Sequence, residues 1–312
     1  MIDASMAHSM TRPAPVAVMI YRRPAHLRNT LTALLACHNS DQHEIHVFGD
    51  GPRTEADIEP VAQARSVARE MLGKAAHYHF SDQNRGLSAS VIAAVDQLTA
   101  SHGDVIVLED DLVLAPNTLG FFQQALGRYR DDDLVMQVSA HMFASPALAK
   151  RQETLFLPFT TSWGWATWRR AWSHFDASAS GWQQLRQDRA LRRRFNLNGS
   201  YDFAAMLEAQ MEGQRDSWAI RWYWSVFQAE GLVAYPPRSL VHNTGFDGSG
   251  THGSALLRRF GFDGRTQQAQ PITLSEHISI EPDLFREVSR AIYRQNGGLV
   301  GKVVDRVRKL VR

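Results

Sequence analysis

Three consecutive carboxylates, Glu109-Asp110-Asp111, end the apolar run Asp104-Val-Ile-Val-Leu and stand just before Leu112-Val-Leu-Ala-Pro116. Delivered by a buried strand to one edge of a core, three acids repel one another unless a cation neutralises them. One or two carboxylates together with substrate phosphates are the usual ligands of Mg2+ or Mn2+. Position separates this triplet from Asp131-Asp132-Asp133, which ends a helical segment and reads as a solvated turn. Asn84-Arg85-Gly86-Leu87 opens another helical segment, where free N–H groups and partial positive charge suit an anion. All eight tryptophans lie between Trp163 and Trp224, which fits either a platform for sugar rings or the core of the second half. The arginines Arg186, Arg189, Arg192, Arg193 and Arg194 read as a solvated helix face, with a lipid-linked pyrophosphate as the alternative occupant.

The elements that must position these groups are legible in the first half. Runs rich in Val and Ile predict strands at 16–21, 45–49, 77–80 and 105–108, and apolar residues at helical spacing predict helices at 25–37, 61–72 and 87–102. Strands alternating with helices specify an α/β fold with a mostly parallel, Rossmann-like sheet flanked by helices. Right-handed crossovers place every strand end and helix start on one edge, and ligands of such sheets bind outside those carboxyl ends. Beyond residue 112 the rhythm weakens. A helix over 116–130, a strand over 134–138 and a helix from about Arg286 are the expectations for this less regular half.

Several segments in a fixed order resemble the nucleotide-sugar glycosyltransferases of the GT-A fold. They are similar to the inverting branch that includes N-acetylglucosaminyltransferase I and bacterial surface-polysaccharide sugar transferases. The resemblance spans roughly residues 15–255. It implies that Tyr21 and Arg23 after the first strand meet the nucleotide, that Asp50 accepts from the base N–H, and that Arg85 lies near the diphosphate. Glu109-Asp110-Asp111 matches the metal motif, with the last acid on Mn2+ or Mg2+ and the earlier ones on ribose and metal-bound water. Many relatives have Asp-x-Asp here, which leaves the division of roles between Asp110 and Asp111 open. Ser162-Trp163-Gly164-Trp165 resembles the Gly-Trp segment on the acceptor side. Asp216-Ser217-Trp218 stands where relatives carry the catalytic base, with Glu212 as the second choice. The glycine-rich stretch 243–252 resembles a loop closing over the sugar donor, with His252, or less strongly Asp247, as a metal or phosphate ligand.

With 44% hydrophobic and 21% charged residues in 312, the chain is of ordinary globular composition. The single cysteine, Cys37, excludes an internal disulfide framework. A first stretch without a basic start and apolar run, and no long apolar window, point to a cytoplasmic protein. The last fourteen residues carry five basic groups against one acid, leaving the remainder at net −2 in a chain of net +2. A body without basic excess argues against nucleic-acid binding. Leu299, Val300, Val303, Val304, Val307, Leu310 and Val311 share one face of that tail, the pattern of an interfacial helix at the inner face of an anionic membrane, or of a helix docked on its own domain.

The expected organisation is a flexible tail at 1–14, a GT-A-like domain at 15–255 and an extension at 256–312 ending in the basic helix. The expected partners are a nucleotide diphosphate sugar and a glycan or lipid-linked acceptor. The rival readings are a catalytically silent sugar-nucleotide-binding or membrane-docking protein, which an Asp216 turned out of the cleft would favour, and a nucleotidylyltransferase. The latter needs a glycine-rich loop after the first strand, where this chain has Tyr21-Arg-Arg-Pro24.

Overall fold

The computed structural model describes residues 12–245 and 271–295. Its strands are β1 (Val16–Ile20), β2 (Ile45–Gly49), β3 (His77–Phe80), β4 (Asp104–Glu109), β5 (Leu112–Leu114), β6 (Val135–Ser139), β7 (Leu155–Leu157), β8 (Trp165–Trp168), β9 (Leu232–Tyr235) and β10 (Val241–Asn243). The helices are α1 (Pro24–Leu35), α2 (Glu55–Leu72), α3 (Leu87–His102), α4 (Thr118–Arg128), α5 (Arg169–Trp172), α6 (Gln184–Gln187), α7 (Arg189–Phe195), α8 (Phe203–Met211), α9 (Trp218–Gln228) and α10 (Pro282–Gln295).

Eight strands form one sheet in the order β3-β2-β1-β4-β8-β6-β9-β7, and β10 pairs with β5 beside it. The pairs among β3, β2, β1 and β4 are all parallel, and β8 then enters antiparallel between β4 and β6. The fold class is therefore the expected one. Every residue of β1 and β2 is buried, because helices cover both faces of the sheet, and this explains the uninterrupted apolar sequence of β1 and the apolar run of β2 broken only by His46.

From β1 the chain moves to β2 and β3 on one side, then returns through α3 to place β4 on the other side of β1. Such a reversal opens a crevice at the carboxyl ends of β1 and β4. Tyr21 to Arg23 and Glu109 to Asp111 are the residues that leave those two strands.

Local differences from the expected elements have local causes. Helix α2 starts at Glu55, six residues before the expected Val61, and runs through Pro60. A capping box between Thr54 and Asp57 anchors that start. Two apolar clusters fill the molecule, one beneath the parallel strands and one around Phe195, Tyr223 and Trp224 in the second half. Of the C-terminal extension, the described part belongs to the body. Thr273 accepts from Thr154 N at 2.9 Å, and Val288 and Ile292 of α10 are buried in the second cluster. The basic tail lies outside the described residues, and no helix among the described ones is long and apolar enough to cross a membrane.

At the amino-terminal edge of the sheet, Asp104 is buried beneath Arg130, 3.5 Å away, and burial pushes its carboxyl up to about 6. A raised carboxylate pKa means that folding disfavours the charged form. The stability this group leaves intact below its ordinary pKa of 3.8 is therefore lost as pH rises through about 6. Two pKa units correspond to at most about 3 kcal/mol. Asp104→Asn should accordingly gain stability relative to the wild type between pH 4.5 and pH 7.5 in guanidinium unfolding. A difference between the two proteins that does not vary with pH would contradict this.

Candidate active site

The crevice at the β1/β4 switch point is a cleft of about 390 Å3, lined by residues that include Tyr21, Arg23, Asp50, Asp111, Trp163 and Asp216. Its floor is the acid triplet. Glu109 pairs with Met19 in the parallel ladder, so the three carboxylates emerge level with the end of β1. Asp110 and Asp111 are buried, at 9% and 7% exposure. The Tyr21 N–H donates to Asp110 Oδ2 at 3.2 Å, and Thr30 Oγ1 donates to the Asp110 carbonyl at 2.8 Å, which holds the turn against α1. Asp111 Oδ2 accepts from Arg23 Nη1 at 2.7 Å and its Oδ1 accepts from Asn243 Nδ2 at 3.3 Å. Thr244 donates to the Asp111 carbonyl from both its N–H and its hydroxyl.

Burial, then repulsion from its acidic neighbours, pushes Glu109 well above the carboxylate range and Asp110 up to about 6, against the opposing pull of Arg23. Among the described residues, three acids thus share one guanidinium. Oxygen ligands this short of positive charge fit a hard divalent cation, Mn2+ or Mg2+, with Asp111 and its neighbours as the residues that would hold it.

Arg23, expected to meet the nucleotide, lines the cleft and stands there against the metal motif as a countercation. Tyr21 lines the cleft, and its hydroxyl donates to Asp57 Oδ2 at 3.1 Å. Asp50 is the clamp of the β3–α3 turn. Its Oδ1 accepts from the N–H groups of Gly51 and Arg85, at 3.0 and 2.8 Å, and its Oδ2 from Gly86 at 2.8 Å. Of roughly four acceptor positions on a carboxylate, one remains for a base N–H. Arg85 contributes its backbone to this clamp, and its side chain is exposed outside the residues lining the cleft.

Around the acceptor side the three expected residues separate. Trp163 is half-buried and lines the cleft, with its ring 4.4 Å from that of His141. Gly164 has a φ of +64°, a left-handed turn that favours glycine, and an added Cβ would approach Val241 to 3.2 Å. Trp165 is fully buried, stacked on Trp218 at 4.9 Å between centroids, so it supports the wall and touches no ligand. Seven of the eight tryptophans are buried, so the concentration is mainly core, with Trp163 as the exception.

Asp216 lines the cleft, with its side chain 59% exposed, and its Oδ1 is 3.7 Å from Arg221 Nη2. Ser217, not Asp216, occupies the N-cap position of α9, so the carboxylate is not engaged in capping. The outward-facing Asp216 that would favour a silent protein is not what the structure has. Glu212 instead pairs with Arg186 away from the cleft. Arg192 pairs with Glu208 and Arg194 with Glu230, which identifies much of the arginine cluster as a charge-paired surface. His252 and Asp247 lie outside the described residues.

Sequence reasoning missed three supports of the site. Asp57 ties Tyr21 and Arg22 to the start of α2. Asn243 reaches Asp111 because β10 pairs with β5, setting Asn243 opposite Leu112. Gly245 packs so closely that an added Cβ would clash with Asp111 Oδ2. The tie of Asn243 to the motif depends on a long-range antiparallel register that no local pattern encodes.

Comparison with known proteins agrees with this architecture. Residues 16–190, more than half of the chain, match the family described as glycosyl transferase family 2. Similar solved structures include the mannosyltransferase PcManGT from Pyrobaculum calidifontis in complex with GDP-Man and Mn2+, with 16% identity over 70% of this chain and 68% of that one and a TM-score of 0.39. TarS 1-349 from S. aureus gives 12% identity over 74% and 60% of the two chains, with a TM-score of 0.45. Glucosyl-3-phosphoglycerate synthase from Mycobacterium tuberculosis, in complex with Mn2+, UDP and glucosyl-3-phosphoglycerate, gives 13% over 53% and 59%, with a TM-score of 0.34. No curated protein gives a significant match. The match over more than half its length, on a sheet that ends in this acidic cleft, makes the chain a member of glycosyl transferase family 2.

Proposed function

We propose that the chain is a metal-dependent, inverting hexosyl- or N-acetylhexosaminyltransferase. In this reading it moves a sugar from a nucleotide diphosphate sugar, most simply a UDP-linked one, to a glycan or lipid-linked acceptor in surface polysaccharide synthesis. The observation that carries the reading is the shared cleft: Asp110 and Asp111 sit at the β1/β4 switch point beside Arg23, and Asp216 lines the same cleft next to Gly86. The order of Glu109-Asp110-Asp111, the Gly-Trp segment and Asp216-Ser217-Trp218 further supports kinship with the N-acetylglucosaminyltransferase I branch.

Asp111 and its acidic neighbours would hold the divalent cation, which would offset the charge of the diphosphate. Arg23, beside Asp111 at the end of β1, is placed to meet the nucleotide. The last acceptor position of Asp50 takes the base N–H, and the Asn84–Leu87 turn presents backbone toward the diphosphate. The exposed carboxylate of Asp216, oriented by Arg221, takes the proton from the acceptor hydroxyl as that oxygen attacks the anomeric carbon. The bond to the diphosphate breaks with its electron pair going to the phosphate oxygen, and the configuration inverts. Trp163 gives the sugar ring an apolar face.

The test is release of nucleoside diphosphate from a panel of UDP-, GDP- and TDP-sugars. At least one donor should be turned over with Mn2+ and none in chelator. Undiminished release in chelator would refute the metal dependence.

The same reading places the enzyme at the inner face of a membrane through its basic tail. Each of four net positive charges contributes about 1 kcal/mol near an anionic surface, and the attraction weakens as salt rises. The whole chain should co-sediment with anionic liposomes, and a chain ending at Gly298 should not, while transfer to a soluble acceptor survives. Equal sedimentation of both would remove the membrane role.

A further inference from the structure

Parallel pairing of β2 with β3 sets His46 directly beside His77, and the period of two along a strand brings His79 to the same face. The rings of His77 and His79 flank His46 at 4.5 and 5.4 Å between centroids. Glu44 immediately precedes β2, and His102 ends α3 beside it. Glu44, His46 and His77 can bring one ligand atom each to within 4.8 Å of one another. These residues lie at the starts of β2 and β3, whereas the donor cleft lies at the other end of the same strands. The six residue steps from Glu44 to Asp50 span about 20 Å when extended.

The hydrogen bonds define what the cluster presents. His46 is 6% exposed, and its Nδ1 lies 3.1 Å from His79 Nε2. Its Nε2 is buried, makes no hydrogen bond and faces Glu44 Oε2 at 3.5 Å. A proton on His46 Nδ1 serves the bond to His79 and leaves a lone pair on Nε2 directed at a carboxylate oxygen. Two electron-rich atoms so placed suit a cation between them. Glu44 Oε2 also accepts from His102 Nε2 at 3.0 Å, and its Oε1 pairs with Arg12. Those contacts fix the carboxylate as His79 fixes the imidazole, which is how outer partners orient metal ligands.

We propose that Glu44, His46 and His77 form a first-row transition-metal site, suited to Zn2+, at the edge of the sheet opposite the sugar-donor cleft. Two imidazoles and one carboxylate with a fourth position for water match the ligand preference of Zn2+, whereas the all-oxygen set of the cleft suits Mn2+ or Mg2+. Bound there, the ion joins the starts of β2 and β3, with α3 attached through His102.

The test titrates Co2+ and Zn2+ into the full chain, free of affinity-tag histidines, by calorimetry and by the visible absorption of Co2+. The wild type should bind one equivalent with the intense absorption of a low-coordinate nitrogen site. His77→Gln, at an exposed position, should lose that band while keeping its far-ultraviolet spectrum and Mn2+-dependent donor turnover. His79→Gln should weaken binding by about 10- to 100-fold, the usual effect of losing an outer partner. Asp111→Asn should retain the Co2+ band, which separates this site from the cleft. Absence of the band in the wild type, its persistence in His77→Gln, or its loss in Asp111→Asn would overturn the proposal.

Discussion

Asp111→Ala is expected to abolish glycosyl transfer while leaving the chain folded. The Asp111 carboxylate is the point at which Arg23, Asn243 and the close backbone of Gly245 converge, so it is both the most constrained acid of the triplet and the one nearest Arg23, the cation paired with it among the described residues. Removing it leaves Asp110 and Glu109 with less mutual repulsion, which compensates in part for the guanidinium it strands. The fold should therefore survive, with cooperative melting retained. A metal ion at a leaving phosphate contributes several kcal/mol to the transition state, so the loss should be on the order of 1,000-fold or more. Turnover close to that of the wild type would remove Asp111 from the metal site.

Asp216→Asn should reduce turnover by about 100- to 10,000-fold, the usual cost of losing a positioned base. The amide keeps the size of the carboxylate and can still lie beside Arg221, but it does not accept the hydroxyl proton. Affinity for the nucleotide should change little, because the amide keeps the size of the carboxylate beside Gly86 and Arg221 and removes only its ability to take the proton. The informative pattern is a fall in kcat with little change in the KM for the sugar donor. Retention of more than about a tenth of wild-type turnover would contradict this role.

The parallel half of the sheet was legible because β1, β2 and β4 are largely buried and read as mainly apolar runs rich in Val and Ile. The helices between them were equally plain, apart from the start of α2, where the Thr54–Asp57 box extends the helix through a proline that periodicity treats as a boundary. Short strands such as β8 were not legible. Its sequence Trp-Ala-Thr-Trp acquires a strand's role only by insertion between β4 and β6, which are far apart along the chain.

The same insertion separates Trp163 from Trp165. The left-handed turn at Gly164 leaves one ring at the cleft and turns the other into the core, and adjacent aromatic letters carry no sign of this. The acid triplet was visible from its position at a strand end, whereas the attachment of Asn243 to it, and the gathering of His46, His77 and His79, depend on strand register.

The central claim is that this cleft takes a nucleoside diphosphate together with a divalent cation held at Asp111. The most direct measurement is the thermal shift of the wild type and of Asp111→Ala with UDP, GDP and TDP, each with Mn2+ and with chelator. Ligand that binds only the native state raises the melting temperature by mass action, by about 2.7 kcal/mol of added stability at a hundred times its Kd. The account predicts that at least one nucleotide stabilises the wild type in the presence of Mn2+, and that this shift is lost both in chelator and in Asp111→Ala. A nucleotide shift of equal size in chelator, or one retained in full by Asp111→Ala, would contradict it.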